Sequence, residues 1–253
     1  MATYRQQRNY ENLNKAIFDG EGQYDIPILA PAECNVENWI SFNFAKGCEE
    51  PERHGVHFFI DDYQFNRVWT SPDVYVEMLG RFQAVCTPDF STYTDFPKAI
   101  QIYNHYRKHW LGAYWQAHGM TVIPTISWSD HDSYEWCFDG EPVGGTVIVS
   151  SVGTQSGMGD TAQLFLDGYR EMVRRLEPKQ IIMYGPYRRS LTAITLYQSE
   201  LFNRNGVSVH KGSGATPYPT LPQGVQSRSR KTAVHGRATQ SGCIPSLYLV
   251  KYI

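Results

Sequence analysis

Five short hydrophobic runs along the chain each end at a polar or reactive side chain. Runs of this length, bounded by polar residues, are typical of buried strands. The five runs are Val56–Ile60, Gln83–Thr87, Met120–Ile126, Thr146–Val149 and Gln180–Met183. The residues that follow them are, in the same order, Asp61 and Asp62; Asp89 and Ser91; Ser127, Trp128 and Asp130; Ser150 and Ser151; and Tyr184. The pattern therefore predicts five strands with chemically useful residues at their carboxyl ends.

Segments with helical periodicity lie between several of these runs. The longest helical pattern covers Lys98–His118, where Ile102, Tyr106 and Trp110 recur at a spacing of four residues. This spacing places the three side chains on one face, and we expect that face to pack on the sheet. A second helix is predicted over Thr161–Leu176.

The alternation of strands and helices favours an α/β fold with a mostly parallel sheet. A barrel-like arrangement, such as an incomplete (β/α) barrel, fits a set of strands whose functional residues all lie at one rim. An open three-layer α/β sheet is the alternative. The first third of the chain contains several strands and little helix, and it fits neither scheme closely.

The chain divides by composition into three parts. Residues 1–25 form a polar lead, residues 26–210 a single α/β domain, and residues 211–253 a basic, flexible tail rich in Gly, Ser, Thr and Pro. Within the tail, Ser246–Ile253 alternates Leu and Ile with Tyr and Val. A run so dense in β-forming residues predicts a terminal strand that returns to the domain.

Composition excludes some classes of protein. Hydrophobic residues make up 42% of the 253 residues and the formal net charge is −2, so a sizeable core is expected and a surface built wholly for nucleic acid is not. No run approaches the roughly 20 apolar residues of a membrane span, and the first residues lack the apolar segment of a secretory signal. Five scattered cysteines without a CxxC pair indicate reduced thiols. We therefore predict a cytoplasmic location without a membrane partner, and the sequence does not indicate an oligomeric state.

Three aspartates at the ends of two strands are the candidate catalytic residues. The carboxyl ends of parallel strands share one rim, so Asp89 is expected to lie near Asp61 or Asp62. Neighbouring side chains in an extended segment point in opposite directions, so only one of Asp61 and Asp62 should face the centre. Such a pair could divide acid and base roles, or it could hold Mg²⁺. The alternative is that Asp89 caps the turn after its strand.

Other residues at the same rim are candidates for ligand binding. Trp128 could stack on a base or a sugar, although a Trp at a rim also packs against loops. Gly153 opens a glycine-rich segment between a strand and a helix, a setting that suits a phosphate, but the segment has neither a Walker A nor a GxGxxG pattern. A flexible loop is the alternative for this segment. The full predicted set of ligand-binding residues is Ser91, Ser127, Trp128, Asp130, Ser151, Gly153 and Tyr184.

Several strings in the chain resemble a family known as domain of unknown function 4417. The resemblance covers roughly residues 30–190, and no established activity comes with the family. It implies a phage or mobile-element context and action inside the cell. The strings that carry it are His57-Phe58-Phe59-Ile60-Asp61-Asp62, Pro88-Asp89-Phe90-Ser91, Gly112-Ala113-Tyr114-Trp115-Gln116, Gly119, Val122-Ile123-Pro124-Thr125-Ile126-Ser127-Trp128 and Phe138-Asp139-Gly140.

Two functional hypotheses follow from the rim and from this resemblance. The first is an enzyme that acts on a nucleotide or a nucleic-acid base by cleaving or exchanging a glycosidic bond, since paired carboxylates suit the charge that develops at a sugar carbon. Asp89 would then be the nucleophile or base, with Asp61 or Asp62 as its partner. The second is a non-catalytic accessory protein that captures a small ligand or a host protein with the same rim.

Overall fold

The computed structural model describes residues 15–152 and 160–185, together with the backbone of two later strands. The chain begins with a short antiparallel pair, β1 (Gly20–Glu21) and β2 (Ile26–Pro27). The strands that follow are β3 (Asn38–Ser41), β4 (His54–His57), β5 (Ala84–Cys86), β6 (Val122–Ile123), β7 (Thr125–Ile126), β8 (Thr146–Ser150), β9 (Gln180–Tyr184), β10 (Val207–Lys211) and β11 (Leu247–Tyr252).

The described helices differ greatly in length. The α-helices are α1 (Phe42–Ala45), α2 (Asp62–Phe65), α3 (Arg67–Thr70), α4 (Asp73–Leu79), α5 (Lys98–Ala117) and α6 (Asp160–Leu176). Two 3₁₀ turns, Pro51–Arg53 and His131–Glu135, precede β4 and follow β7 respectively. The two long helices α5 and α6 are the ones that the periodicity predicts.

Two sheets are joined through a single broken strand. Strands β3, β4, β5 and β6 form one parallel sheet in that order, and β7, β8 and β9 form a second, which β11 and β10 extend with antiparallel pairing. Pro124 separates β6 from β7. The carbonyl of Ile123 accepts from the Thr87 amide at 3.0 Å, whereas the carbonyl of Pro124 accepts from the Ile148 amide at 2.9 Å. Because proline has no N–H to donate, the segment changes its partner from β5 to β8 at this residue.

The two sheets curve toward each other. The rings of His57 in β4 and Tyr184 in β9 lie 4.9 Å apart, although these strands belong to different sheets, and the Phe59 ring stacks on Tyr184 at 4.4 Å. The prediction of an α/β fold with mostly parallel sheets is confirmed. No pairing among the described strands joins β3 to the far edge of the second sheet, so they do not close into a barrel, and an open α/β arrangement is compatible.

The core follows the alternation of side chains along the strands. In β8 and β9, Ile148 and Ile182 pack with the residues of the first sheet, whereas Val147 and Ile181 pack with the apolar face of α6. This is the division that a period of two imposes on a strand covered on both faces. The α6 residues in the second cluster are Phe165, Tyr169, Met172, Val173 and Leu176.

Helix α5 buries a polar face in addition to the hydrophobic residues that periodicity predicts to pack inward. Of the three residues predicted to face the sheet, only Trp110 is fully buried, and Ile102 and Tyr106 are half-buried. The buried polar residues of this helix are Gln101, Asn104, His105, Lys108 and His109. None of the helices in the described parts of the chain is long and apolar enough to cross a membrane.

The difference in burial between two residues of α5 predicts that their truncation to alanine lowers the free energy of unfolding by different amounts. Leu111 is fully buried, so Leu111→Ala should lower the free energy of unfolding by about 2–5 kcal/mol. Ile102→Ala should lower it by less, about 1 kcal/mol, because Ile102 is only partly buried. Urea unfolding of both variants measures the difference, and equal costs would contradict this orientation of the helix.

Strand β11 lies within the run Ser246–Ile253, for which the sequence predicts a terminal strand. Strand β11 pairs antiparallel with β9, with Leu247 opposite Tyr184, and β10 pairs with the outer side of β11. The segment Gln226–Lys231, which contains three basic residues, and the glycine-rich segment Gly153–Gly159 lie outside the described residues. The boundaries 26–210 and 211–253 remain predictions.

Candidate functional site

An open cleft lies at the carboxyl ends of the parallel strands. It has a volume of about 870 Å³, and residues that follow β4, β5 and β7 line it together with the last residues of β8 and β9. Helix α6 adds Thr161, Leu164 and Phe165. Side chains from strands far apart in sequence therefore meet in one space, because parallel strands all end at the same edge.

The structure brings six of the predicted site residues into this cleft. They are Asp61, Asp89, Ser91, Ser127, Trp128 and Tyr184. Three others, Asp62, Asp130 and Ser151, do not line it. Asp130 accepts from the Ser133 amide at 3.0 Å and caps a 3₁₀ turn, and Ser151 is buried with its hydroxyl 3.3 Å from the Tyr184 carbonyl. Asp62 holds a loop, as described below, and Gly153 falls outside the described residues.

Asp89 is half-buried in the cleft, at the end of the segment that β5 begins. Within the part of the chain that the structure describes, no hydrogen bond holds its carboxyl group. Burial raises the pKa of Asp89 from 3.8 to about 7; Lys108 opposes this rise and Asp62 adds to it. A carboxyl group with a pKa near neutrality can both give and take a proton at physiological pH.

The adjacent aspartates Asp61 and Asp62 diverge, as the extended backbone before them predicts. Asp61 is exposed at the cleft and lies 3.4 Å from the Gln64 amide nitrogen. Asp62 instead accepts from the amide of Ser91 at 3.1 Å and from its hydroxyl at 2.9 Å, with Arg107 at 3.9 Å. Asp62 therefore fixes the loop that carries Asp89, while Asp61 is free to meet a ligand.

The polar face of α5 holds the rim of the cleft. The Asn104 amide donates to the Ser91 carbonyl at 2.6 Å, and the Gln101 amide donates to the Phe96 carbonyl at 2.8 Å. Gln101 also accepts from the Ser129 hydroxyl at 2.6 Å. Two loops from different strands are thus tied to one helix. The sequence signal for this role is the spacing of Gln101, Asn104 and Lys108 on a single helical face, which apolar periodicity does not reveal.

Aromatic side chains form two walls of the cleft. Phe59 and Tyr184 stack on each other, with an angle of 18° between their planes. Burial raises the pKa of Tyr184 and lowers the pKa of the adjacent His57 to about 4, so both side chains are neutral near pH 7. Trp128 forms a second wall, where its indole N–H donates to the Leu164 carbonyl at 3.2 Å.

Gly168 in α6 provides the space for Trp128. A Cβ atom at this position would lie 2.1 Å from the indole nitrogen, so Gly168→Ala should displace the Trp128 wall. We expect a loss of about 1–3 kcal/mol by overpacking, even though alanine is the better helix former. Gly47→Ala is the control, since its nearest neighbour would be 3.9 Å away. Guanidinium unfolding compares the two variants, and a stable Gly168→Ala protein would contradict this packing.

The ionisable groups of the cleft are acidic. Its lining includes Asp61, Asp89 and Asp95. Among the described residues, no Lys, Arg or His side chain lines it. The described walls therefore suit a neutral or cationic ligand, or an anionic one accompanied by a divalent cation such as Mg²⁺.

A second group of ionisable residues is buried around Lys108 and His109 of α5. Lys108 donates to the Thr125 carbonyl and to Glu141 Oε1, each at 2.8 Å, and His109 Nε2 lies 2.9 Å from the same Glu141 oxygen. One ring nitrogen each of His105 and His109 and a carboxylate oxygen of Glu141 lie within 4.8 Å of one another. All of these side chains are buried.

Burial and the electrostatic effects of neighbouring side chains set the charge states of His105 and Glu141. Burial lowers the pKa of His105 well below its usual value, and electrostatic repulsion from Lys108 and His109 adds to the effect. Burial raises the pKa of Glu141, but Lys108 and His109 together outweigh it, and the net pKa is lowered. His105 is therefore neutral and Glu141 ionised.

Fold and cleft together define an α/β protein with an acidic, aromatic-walled cleft at the carboxyl ends of its strands. The model of a family described as "Domain of unknown function (DUF4417)" matches residues 18–197. The chain belongs to this family.

Two relatives are phage proteins. Over 182 residues the chain is 38% identical to the "Gene 1 protein" of Mycobacterium phage L5, a match that covers 71% of this chain and 79% of the phage protein. The "Gene 1 protein" of Mycobacterium phage D29 is also 38% identical over 182 residues, which is 67% of its length. No solved structure matches the chain significantly.

Proposed function

We propose that the cleft is the active site of an enzyme that cleaves or exchanges the glycosidic bond of a nucleoside or nucleotide, with Asp89 as its general acid and base. The observation that carries this proposal is the state of Asp89. Its carboxyl group has a pKa of about 7, is free of hydrogen bonds to described residues and faces an aromatic-walled cleft. Carboxyl groups tuned in this way recur at sites of proton transfer.

The chemistry of a glycosidic bond fits the two cleft aspartates. When the bond breaks, the departing base takes a proton and the sugar carbon gains positive charge. Protonated Asp89 would supply the proton, and the exposed carboxylate of Asp61 would stabilise the cationic sugar or activate the water or acceptor that attacks it. The stacked pair Phe59–Tyr184 and the indole of Trp128 offer planar faces to a base, and such stacking contributes about 1–3 kcal/mol per base.

The family context supports a setting for this activity. The relatives are gene products of two mycobacteriophages. We therefore place the proposed enzyme in the cytoplasm of a host cell, in a phage or mobile-element context, where nucleosides, nucleotides and nucleic acids are all available. If the substrate carries phosphate, Mg²⁺ held by the exposed carboxylate of Asp61 would offset its repulsion from the acidic lining and leave Asp89 for proton transfer.

A substrate panel tests the proposal. The full chain is incubated with nucleosides, nucleotides and single-stranded oligonucleotides, with and without Mg²⁺, and the released base is measured by chromatography and mass spectrometry. We expect base release by the wild-type protein and its loss in Asp89→Asn. Asp132→Asn is the matched control, because Asp132 is exposed and lies outside the cleft. Ligand binding without base release, unaffected by Asp89→Asn, would indicate an accessory binding protein instead.

A further inference from the structure

We propose that His105, His109 and Glu141 form a buried binding site for a divalent transition-metal ion, with Zn²⁺ as the first candidate. The two histidines are four residues apart on α5 and therefore lie on one face of the helix. Glu141 approaches them from the turn after Phe138. Two histidine nitrogens and one carboxylate oxygen are a donor set that Zn²⁺ and Fe²⁺ both accept. One ring nitrogen of each histidine and one Glu141 oxygen already lie within 4.8 Å of one another.

The hydrogen bonds on the far side of each histidine ring support this proposal. His105 Nε2 lies 3.1 Å from the Asp139 carbonyl, and His109 Nδ1 lies 2.9 Å from the Pro27 carbonyl. Each of these nitrogens carries the proton that it donates, which leaves His105 Nδ1 and His109 Nε2 for a metal ion. Histidines that bind metals commonly donate their second N–H to a backbone carbonyl in this way, because the bond fixes both tautomer and ring orientation.

The contacts of the two carboxylate oxygens of Glu141 independently support a metal ion at this site. Oε1 accepts from Lys108 and also faces His109 Nε2, whereas Oε2 is buried without a hydrogen-bond partner. His109 Nδ1 points at the Pro27 carbonyl, so Nε2 is the ring nitrogen that faces Glu141. A metal ion bound to Nε2 and to Oε2 would satisfy the buried oxygen, while Oε1 keeps its bond to Lys108.

Lys108 takes part in an alternative arrangement of this group, in which no metal ion is bound. Its ammonium group is 2.8 Å from Glu141 Oε1, so a metal ion must share that carboxylate with a neighbouring positive charge. In the metal-free alternative, Lys108 and His109 both contact Glu141 Oε1 and no ion is bound. The two arrangements respond oppositely to Lys108→Met. Removing the ammonium tightens metal binding if an ion occupies the site, but it only leaves Glu141 less compensated if none does.

Metal loading of the full chain tests the proposal. Because the three ligands are buried, Zn²⁺ or Co²⁺ is added both to the folded protein and during refolding, and bound metal is measured by mass spectrometry after gel filtration. We expect about one ion per chain, visible absorption bands from the Co²⁺ form, and loss of both in His105→Ala and Glu141→Gln. His118→Ala, which alters an exposed histidine at the end of the same helix, should keep both.

Lys108→Met provides a readout that does not depend on the ligand variants folding. If the site binds metal, Zn²⁺ should raise the melting temperature of Lys108→Met by several degrees, and by more than it raises that of the wild type. The proposal is overturned if no Zn²⁺, Co²⁺, Fe²⁺ or Mn²⁺ is retained by either protein and none of these ions shifts either melting temperature. The metal-free ion pair would then be the correct description.

Discussion

Glu141→Gln is expected to lower the free energy of unfolding by about 3–5 kcal/mol, the usual cost of removing one partner from a buried ion pair. The side chains of Lys108 and Glu141 are 2% and 0% exposed and lie 2.8 Å apart. With glutamine at position 141, the Lys108 ammonium stays buried beside His109 without a counter-charge, and water cannot reach it. Guanidinium unfolding in the presence of a chelator measures this loss without any contribution from a bound metal.

Two comparisons separate this effect from the loss of a glutamate in general. Glu135→Gln removes the same charge from an exposed pair, in which Lys98 is 3.8 Å away and the side chains are 53% and 79% exposed. That variant should change stability by less than about 1 kcal/mol. The double variant Lys108→Met, Glu141→Gln should lose less than the sum of the two single variants, because it removes both buried charges. Additive losses would show that the two residues do not act as a pair.

The position of the cleft could be predicted from sequence because it depends on strand ends. Each hydrophobic run stops where the chain leaves the sheet, and parallel strands all leave at the same edge. Asp89 and Asp61 reach the cleft for this reason alone, without any long-range information. The divergence of Asp61 and Asp62 also follows from the period of two. Which of the two meets solvent depends on Ser91, which lies 29 residues further along the chain, and no local pattern predicts that contact.

The polar face of α5 could not be found from hydrophobic periodicity. Hydrophobic periodicity identifies apolar residues at helical spacing. It therefore assigns Ile102 and Tyr106, and not Gln101 and Asn104, to the buried face. In the folded protein both polar side chains are hydrogen-bonded to the loop that follows β5, and Gln101 is also bonded to the loop that follows β7. A buried polar group is tolerated when it is satisfied in this way. The partners are contributed by tertiary structure, so the sequence around α5 does not reveal them.

The pKa of Asp89 likewise depends on packing that brings distant residues together. Burial raises it to about 7, and the consequence for stability has a definite sign. Between pH 3.8 and about 7 the folded protein holds a proton on Asp89 that the unfolded chain has released, so this residue makes stability fall as the pH rises through that range. Above about pH 7 the folded protein carries the full cost of a buried, ionised carboxylate.

Asp89→Asn should therefore stabilise the protein at pH 8 and leave its stability almost unchanged at pH 4. A pKa displaced from 3.8 to about 7 corresponds to at most about 4 kcal/mol. Partial exposure of Asp89 to the cleft reduces this, and we expect a gain of about 1–3 kcal/mol at pH 8. Urea unfolding at both pH values measures it. The buried His57 contributes a slope of opposite sign below pH 6.5, but that slope is common to wild type and variant and cancels in their difference.

The same substitution should abolish the proposed activity, and this combination identifies the role of Asp89. Loss of a general acid or base typically slows turnover by about 10²–10⁴-fold. If Asp89 only supported the fold, its substitution would lower the stability and the activity of the protein together. A residue that carries an unfavourable charge for the sake of proton transfer would lose activity while the protein gains stability. Asp132→Asn should change neither property, with stability within about 0.5 kcal/mol of wild type. A variant Asp89→Asn that is less stable than wild type at pH 8 would contradict both the burial of the charge and the proposed role.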